Sequence, residues 1–166
     1  MILTFVLVFT VIAAILLMLY SGVALVQEKW LFSSAPKDIQ EKIQPKPERF
    51  KGAKVLGWIL MIISFIMIGA SAVTAIWDGK RNKYTFRQYF KRFITIFYAY
   101  KAFDIIFLDW FMLHKTHFYQ HYYPETEGCK GYHNFGFNKK SQIARILIYP
   151  LISAAAAKLC TLSDKK

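Results

Sequence analysis

From Ile2 to Val26 the chain carries no charged side chain, and Val55 to Trp77 is a second run of the same kind. As a helix rising 1.5 Å per residue, the first covers about 37 Å, enough to cross a hydrocarbon core of about 30 Å with some tilt. No basic segment precedes it, and it exceeds the roughly 7–15 apolar residues of a signal peptide. Ser21-Gly22-Val23-Ala24 imitates a cleavage site, but a retained helix is the expectation. Two further spans are expected, at about 93–113 and 142–162. The fold expected is therefore all-α: one membrane domain over residues 1–166, a bundle of four transmembrane helices with short interfacial amphipathic helices.

The third span constrains function most. It reads as an apolar, aromatic helix, yet it carries Lys101, Asp104 and Asp109. A charge at mid-membrane depth costs roughly 2.5–3.5 kcal/mol, so such residues face a bundle interior or a wet cavity. Lys101 and Asp104 are three apart and can pair. On an α-helical wheel with Lys101 at zero, Asp104 falls at about −60°, Tyr98 at about +60° and Asp109 at about +80°. Asp109 thus needs another partner. A carboxylate in low dielectric is a candidate acid or base, which makes Asp109, Asp104 and Lys101 the candidate catalytic or ion-relaying set. The bland alternative is a structural Lys101–Asp104 pair, with Asp109 bonded to Arg145 or to a backbone group.

If this helix continues, His114, His117 and His121 share a narrow face with Trp110, at about 160–220° on the same wheel. Pro124 ends it by about residue 123. Three imidazoles with Glu125 are weak candidates for zinc or iron, and one of them for haem. Neither cofactor is favoured, because the spacing is not HExxH and the rings sit among Tyr119, Tyr122 and Tyr123, as aromatic side chains do at a membrane interface. Residues 122–141 hold Gly128, Gly131 and Gly136 with Tyr132, Phe135 and Phe137, too apolar for a free loop. They are expected to fold as an interfacial cap that presents Glu125, Glu127, His133 and Asn134 as ligand-binding candidates beside the histidines, Tyr98 and Trp110.

The connections are basic. Net charge is +12, and the basic residues cluster between apolar runs, which fits anionic lipid headgroups. No RNA-recognition or helix-turn-helix pattern occurs, and nucleic acid is not an expected partner. Phe 15, Tyr 10 and Trp 4 supply interfacial belts. In the first connection, Ser34 is placed to cap a short helix with Pro36 at its start and Asp38 in its first turn, and Ile39 and Ile43 are expected to rest on the membrane surface. Ala70 and Thr74, four apart, predict close helix approach. Phe86, Tyr89, Phe90 and Phe93 mark an interfacial amphipathic helix whose basic residues point elsewhere. Ser141 is a plausible cap for the last span, which Pro150 is expected to kink and whose small residues 153–157 should pack on a neighbour; a re-entrant segment is the alternative there. Eleven Lys and Arg on one side against eight on the other favour both termini on the non-cytoplasmic side. Cys129 and Cys160 lie at opposite ends of the last span, too far apart for a disulfide.

No internal repeat, phosphate loop, GxSxG or dinucleotide fingerprint is present. The leading functional expectation is a polar intramembrane pocket that binds, and in its enzymatic form transforms, a lipid-like or small amphiphilic molecule. Proton- or ion-coupled transport by a homo-oligomer is the second class. An accessory or structural subunit, whose charges pair with a membrane partner, is the third.

Overall fold

The computed structural model describes residues 2–163, and every element among them is helical. The tail residues Asp164, Lys165 and Lys166 lie outside the described residues. The first long helix, α1, runs Ile2–Val26, α-helical over Ile2–Tyr20 and π-helical over Ser21–Val26. A short α2 spans Lys37–Lys42, α3 spans Ala53–Arg81, and α4 runs Phe86–Phe103 and continues as a π-helix over Asp104–Met112. A one-turn α5 at Phe118–Tyr122 and 3-10 turns at Pro124–Thr126 and Lys130–His133 lead to α6, Lys139–Ser163. Three of these, α1, α3 and α6, are long and apolar enough to cross a membrane; α4, with its charges, is not among them. The re-entrant alternative for the last segment does not describe α6, a single 25-residue helix that Pro150 does not interrupt and that begins at Lys139, before Ser141.

The four long helices alternate in direction. One apolar cluster joins Leu7 of α1, Ala75 of α3, Tyr89 and Phe93 of α4, and Ala157 and Cys160 of α6. A second, at the other end, joins Val23 to Leu113 and to Phe32, Ile39, Ile43, Tyr123, Cys129 and Tyr132. Both ends of the described chain therefore lie at one end of the bundle, and both long connections at the other. Cys129 and Cys160 are free thiols, one in each cluster. α1 packs on α3 and α4, and α6 packs on α4.

The outer faces are apolar: Ile66, Val73, Leu151 and Leu159 are each more than 60% exposed. Lipid tails are as apolar as leucine, so in a bilayer such faces gain nothing by meeting one another, and close packing must hold the helices together. The packing stripe of α3 is Gly57, Met61, Ser64, Ser71, Ala75 and Gly79, all buried. Ala70 and Thr74 are not on it: Ala70 is exposed and Thr74 only partly buried. The hydroxyls of Ser64 and Ser71 donate to the carbonyls of Leu60 and Met67, four residues back, at 2.9 and 2.8 Å. They thereby satisfy themselves within α3 and leave a small apolar outline. A Cβ on Gly57 would overlap Val26 and Leu25 of α1, and one on Gly79 would run into the Tyr89 ring.

An ionic lock closes the end that carries the termini. Thr85 and Gln88 form a capping box that starts α4, with Gln88 Oε1 accepting from the Thr85 N–H at 2.8 Å. The expected amphipathic helix is thus the first part of α4 itself, and one of its basic residues turns inward. Arg92, 4% exposed, pairs with Asp78 at 2.7 Å and donates to the Ala75 carbonyl, the Tyr84 hydroxyl and Thr4 Oγ1. One guanidinium so ties α4 to α1 and α3. Tyr89 and Phe93 share its buried face.

The opposite end is closed by a folded cap. Ser34 does not cap α2; Pro36 occupies that position. Ile39 and Ile43 do not rest on a membrane surface: each is 2% exposed and packs in the cluster with Tyr123 and Tyr132. The reason is a bridge between the two connections. Asp38 Oδ2 accepts the Gly131 N–H at 2.8 Å, and a side chain at Gly131 would collide with Asp38 and Pro36. Burial pushes the Tyr132 hydroxyl up to about 12, so it stays neutral and bonds Thr126 Oγ1 at 2.7 Å.

Widening the α3 stripe should separate α1 from α3. Gly57→Val is expected to cost about 1–3 kcal/mol, read as a lower thermal midpoint in detergent, while Ala70→Val on the exposed face should leave the midpoint unchanged. Equal effects from the two would mean that the stripe does not hold the pair.

Candidate functional site

Beneath the cap, the four long helices part around a cavity of about 1290 Å³. This exceeds the roughly 300–1,000 Å³ of most small-molecule sites. Its apolar walls come from Ile15, Met18 and Leu19 of α1 and from Trp58, Met61 and Phe65 of α3. Its polar wall is Tyr100, Asp104 and Asp109 of α4 with Gln142 and Arg145 of α6, and Asn138 enters from the cap.

The π-helical stretch decides how the aspartates are presented. A π turn closes between residues five apart, where an α turn closes at four. The Leu113 N–H accordingly donates to the Leu108 carbonyl. Asp104 and Asp109 are five apart, so both stand on the cavity side, where a regular α-helix would splay them by about 140°. Such π segments recur at functional sites.

Each aspartate is held differently. Asp104 pairs with Lys101, which is 2% exposed and lies behind the cavity wall rather than on it. Asp109 takes neither Arg145 nor a backbone group. Its Oδ2 accepts from Asn138 Nδ2 at 2.9 Å and from Gln142 Nε2 at 2.5 Å. Two neutral amides, 29 and 33 residues further along the chain, thus solvate a carboxylate in a helix of apolar neighbours.

The other expected site residues scatter. Asn134 lines the cavity. Tyr98 and Trp110 lie on the outside, and the Tyr98 hydroxyl donates to the Ile146 carbonyl at 3.3 Å. The histidine face does not form, because the helix breaks at residues 115–117. There Thr116 Oγ1 donates to the Met112 carbonyl at 2.6 Å and accepts the Phe118 N–H, a side-chain alternative to the helical ladder. His114 donates from Nδ1 to the Tyr132 carbonyl at 2.7 Å and stays with the cap. With His117, Glu127 and His133 it lines a separate cavity of about 200 Å³, while His121 is exposed against Tyr122. Among the described residues no group of three or more His, Cys, Asp or Glu converges to hold a metal ion.

Glu125 is tied to the first connection. It pairs with Lys46 at 2.9 Å, and Lys46 also donates to the Tyr122 carbonyl and lies 4.8 Å from the Tyr123 ring centre. Burial raises the Glu125 carboxyl, but the Lys46 ammonium and backbone donors outweigh it and hold the group below its ordinary value. The residues that sequence reasoning left off the site are Tyr100 and Gln142; Asn138 was expected only as one of the cap's donors and acceptors, and Arg145 only as a structural partner for Asp109. Only their polarity beside an apolar span marks them, and no spacing rule links them to Asp109.

No protein-family model matches this chain, and neither the curated proteins nor the solved structures contain a match to it. The fold and the cavity themselves define the class: among the described residues, an all-helical bundle with three helices able to cross a membrane and a large cavity at one end, apolar on one side and polar on the other.

The Lys46–Glu125 tie gives the cap a pH dependence. A depressed carboxyl stabilises the folded cap fully above its unfolded value, near 4.5, and loses that contribution as pH falls through the folded value. Hydrogen-exchange protection of residues 124–133 should therefore drop on acidification below pH 4.5. In Lys46→Met that step should be absent; a step of the same size in the variant would assign it to another group.

Proposed function

We propose that this chain is a small multi-pass membrane protein whose four long helices all cross the bilayer, and whose cavity binds a lipid-like amphiphile. The single supporting observation is the division of the cavity wall. One side is aliphatic and aromatic, and the other carries Asp104, Asp109, Gln142 and Arg145. An amphiphile matches both, with its chain between α1 and α3 and its polar end at the aspartates. The fourth span is α4. It packs against α1 and α6, its Arg92 and Lys101 are paired inward, and charges handled in this way are compatible with membrane depth. The cap covers the mouth, and the basic connections suit anionic headgroups around it.

The cavity lies beneath the interface at which lipids present their heads, so entry needs no aqueous path. Lys101 acts through Asp104: its ammonium holds that carboxyl group in place on the cavity wall. Asp109 is oriented by its two amides and keeps Oδ1 for the ligand, since both amides bond Oδ2.

Filling the cavity tests this reading. Leu108→Trp and Met61→Trp each place a large ring in it. Lipid extracted from protein purified in mild detergent and counted by mass spectrometry should fall from near-stoichiometric in the parent to a small fraction in these variants, with helicity unchanged. Equal retention in both filled variants would show that the lipid sits elsewhere, on the outer faces.

A further inference from the structure

Six charged side chains line the cavity, three of each sign: Lys37, Lys130 and Arg145 against Asp38, Asp104 and Asp109. Four are accounted for. Asp104 is paired with Lys101, and Asp38 accepts the backbone N–H groups of Gly131 and Ile39. Lys37 and Lys130 are exposed, on α2 and on the cap. Two remain. Asp109 has two neutral amides on Oδ2, no donor on Oδ1 and, among the described residues, no cationic side chain within ion-pair distance. Arg145 is exposed as well, but it stands on α6 in the polar wall beside Gln142, and it has no ion pair and no hydrogen bond among the described residues.

The two groups line the same wall from α4 and α6. Gln142, which holds Asp109, is three residues before Arg145, about one turn of α6. Yet carboxylate and guanidinium do not meet within ion-pair distance; they face the same space from two helices. A carboxylate with one oxygen free and a guanidinium without a partner, set in one wall opposite an apolar face, complement a ligand that carries both signs. A headgroup of one sign satisfies one and strands the other. A neutral headgroup strands both.

We infer that the cavity selects a zwitterionic amphiphile, with the anionic group of its head, a phosphate or carboxylate, forked by Arg145 and its ammonium against Asp109 Oδ1. This rests on the amphiphile reading above and narrows it to a headgroup class. Arg145 suits the anionic end because a planar guanidinium donates two parallel bonds to one phosphate or carboxylate. Asp109 suits the ammonium because its oriented carboxylate keeps one oxygen without a donor. The chain then runs toward Met18, Met61 and Phe65.

The test uses the full chain in a maltoside detergent and four probes, with retention measured by native mass spectrometry: dodecylphosphocholine, dodecyl phosphate, dodecyltrimethylammonium, and phosphocholine without a chain. The parent should retain dodecylphosphocholine at least about tenfold better than either single-charge probe, a discrimination that one additional ion pair supplies. Asp109→Asn should move the preference to dodecyl phosphate, and Arg145→Gln to dodecyltrimethylammonium. A misfolded variant loses all probes and cannot imitate such an exchange, and the ranking by the parent protein stands without any variant. Equal retention of the three chain-bearing probes by the parent overturns the headgroup inference and leaves the amphiphile reading intact. Retention of none of them overturns both. Phosphocholine held as tightly as its dodecyl ester keeps the charge pairing but overturns the amphiphile.

Discussion

Charge buried among apolar helices must be answered inside the protein, because no water stands ready to answer it. This constraint orders the bundle. Arg92 is answered by Asp78, Tyr84, Thr4 and the Ala75 carbonyl, and in being answered it clamps α1, α3 and α4 together. Lys101 is answered by Asp104 within one helix. Asp109 is answered by amides from the cap and α6. Where the answer is complete, the charge serves as a joint. Where it is partial, at Asp109, the wall of a cavity begins.

The two ends of the bundle use different chemistry. At the end with the termini, glycine against tyrosine and a buried guanidinium allow short helix separations. At the other end the helices diverge, and the space between them is roofed by two connections that fold together. Asp38 to Gly131 and Lys46 to Glu125 are the ties between those connections. The cavity exists because the roof is built from the loops rather than from the helices. That leaves the helix ends apart beneath the roof.

The sequence made much of the architecture legible. Uncharged runs announce α1 and α3, and the three-residue spacing of Lys101 and Asp104 announces their pair. The aromatic content of residues 122–141 announces a folded cap. Several readings failed for identifiable reasons. The histidine face assumed an uninterrupted helix, and Thr116 diverts the backbone there. The wheel turns the basic residues of this segment, Arg92 among them, away from the apolar face, because a wheel shows only its own helix, and the buried acceptors of Arg92 sit on two others. Ile39 and Ile43 were assigned to a membrane surface because nothing local reveals that residues 129–132 fold over them.

What the sequence by itself determined is the solvent each segment prefers and the local pairs within reach along one helix: hydropathy and short-range spacing are properties of the chain alone. What only the tertiary structure decided is which faces meet. The π-helical turn that brings Asp104 and Asp109 to one side, the amides that reach Asp109 from α6 and the cap, and the space left around Arg145 all arise from packing between segments distant in the chain. Backbone register and side-chain partners of that kind have no periodic signature, because they are set by the shape of the neighbours rather than by the residues themselves.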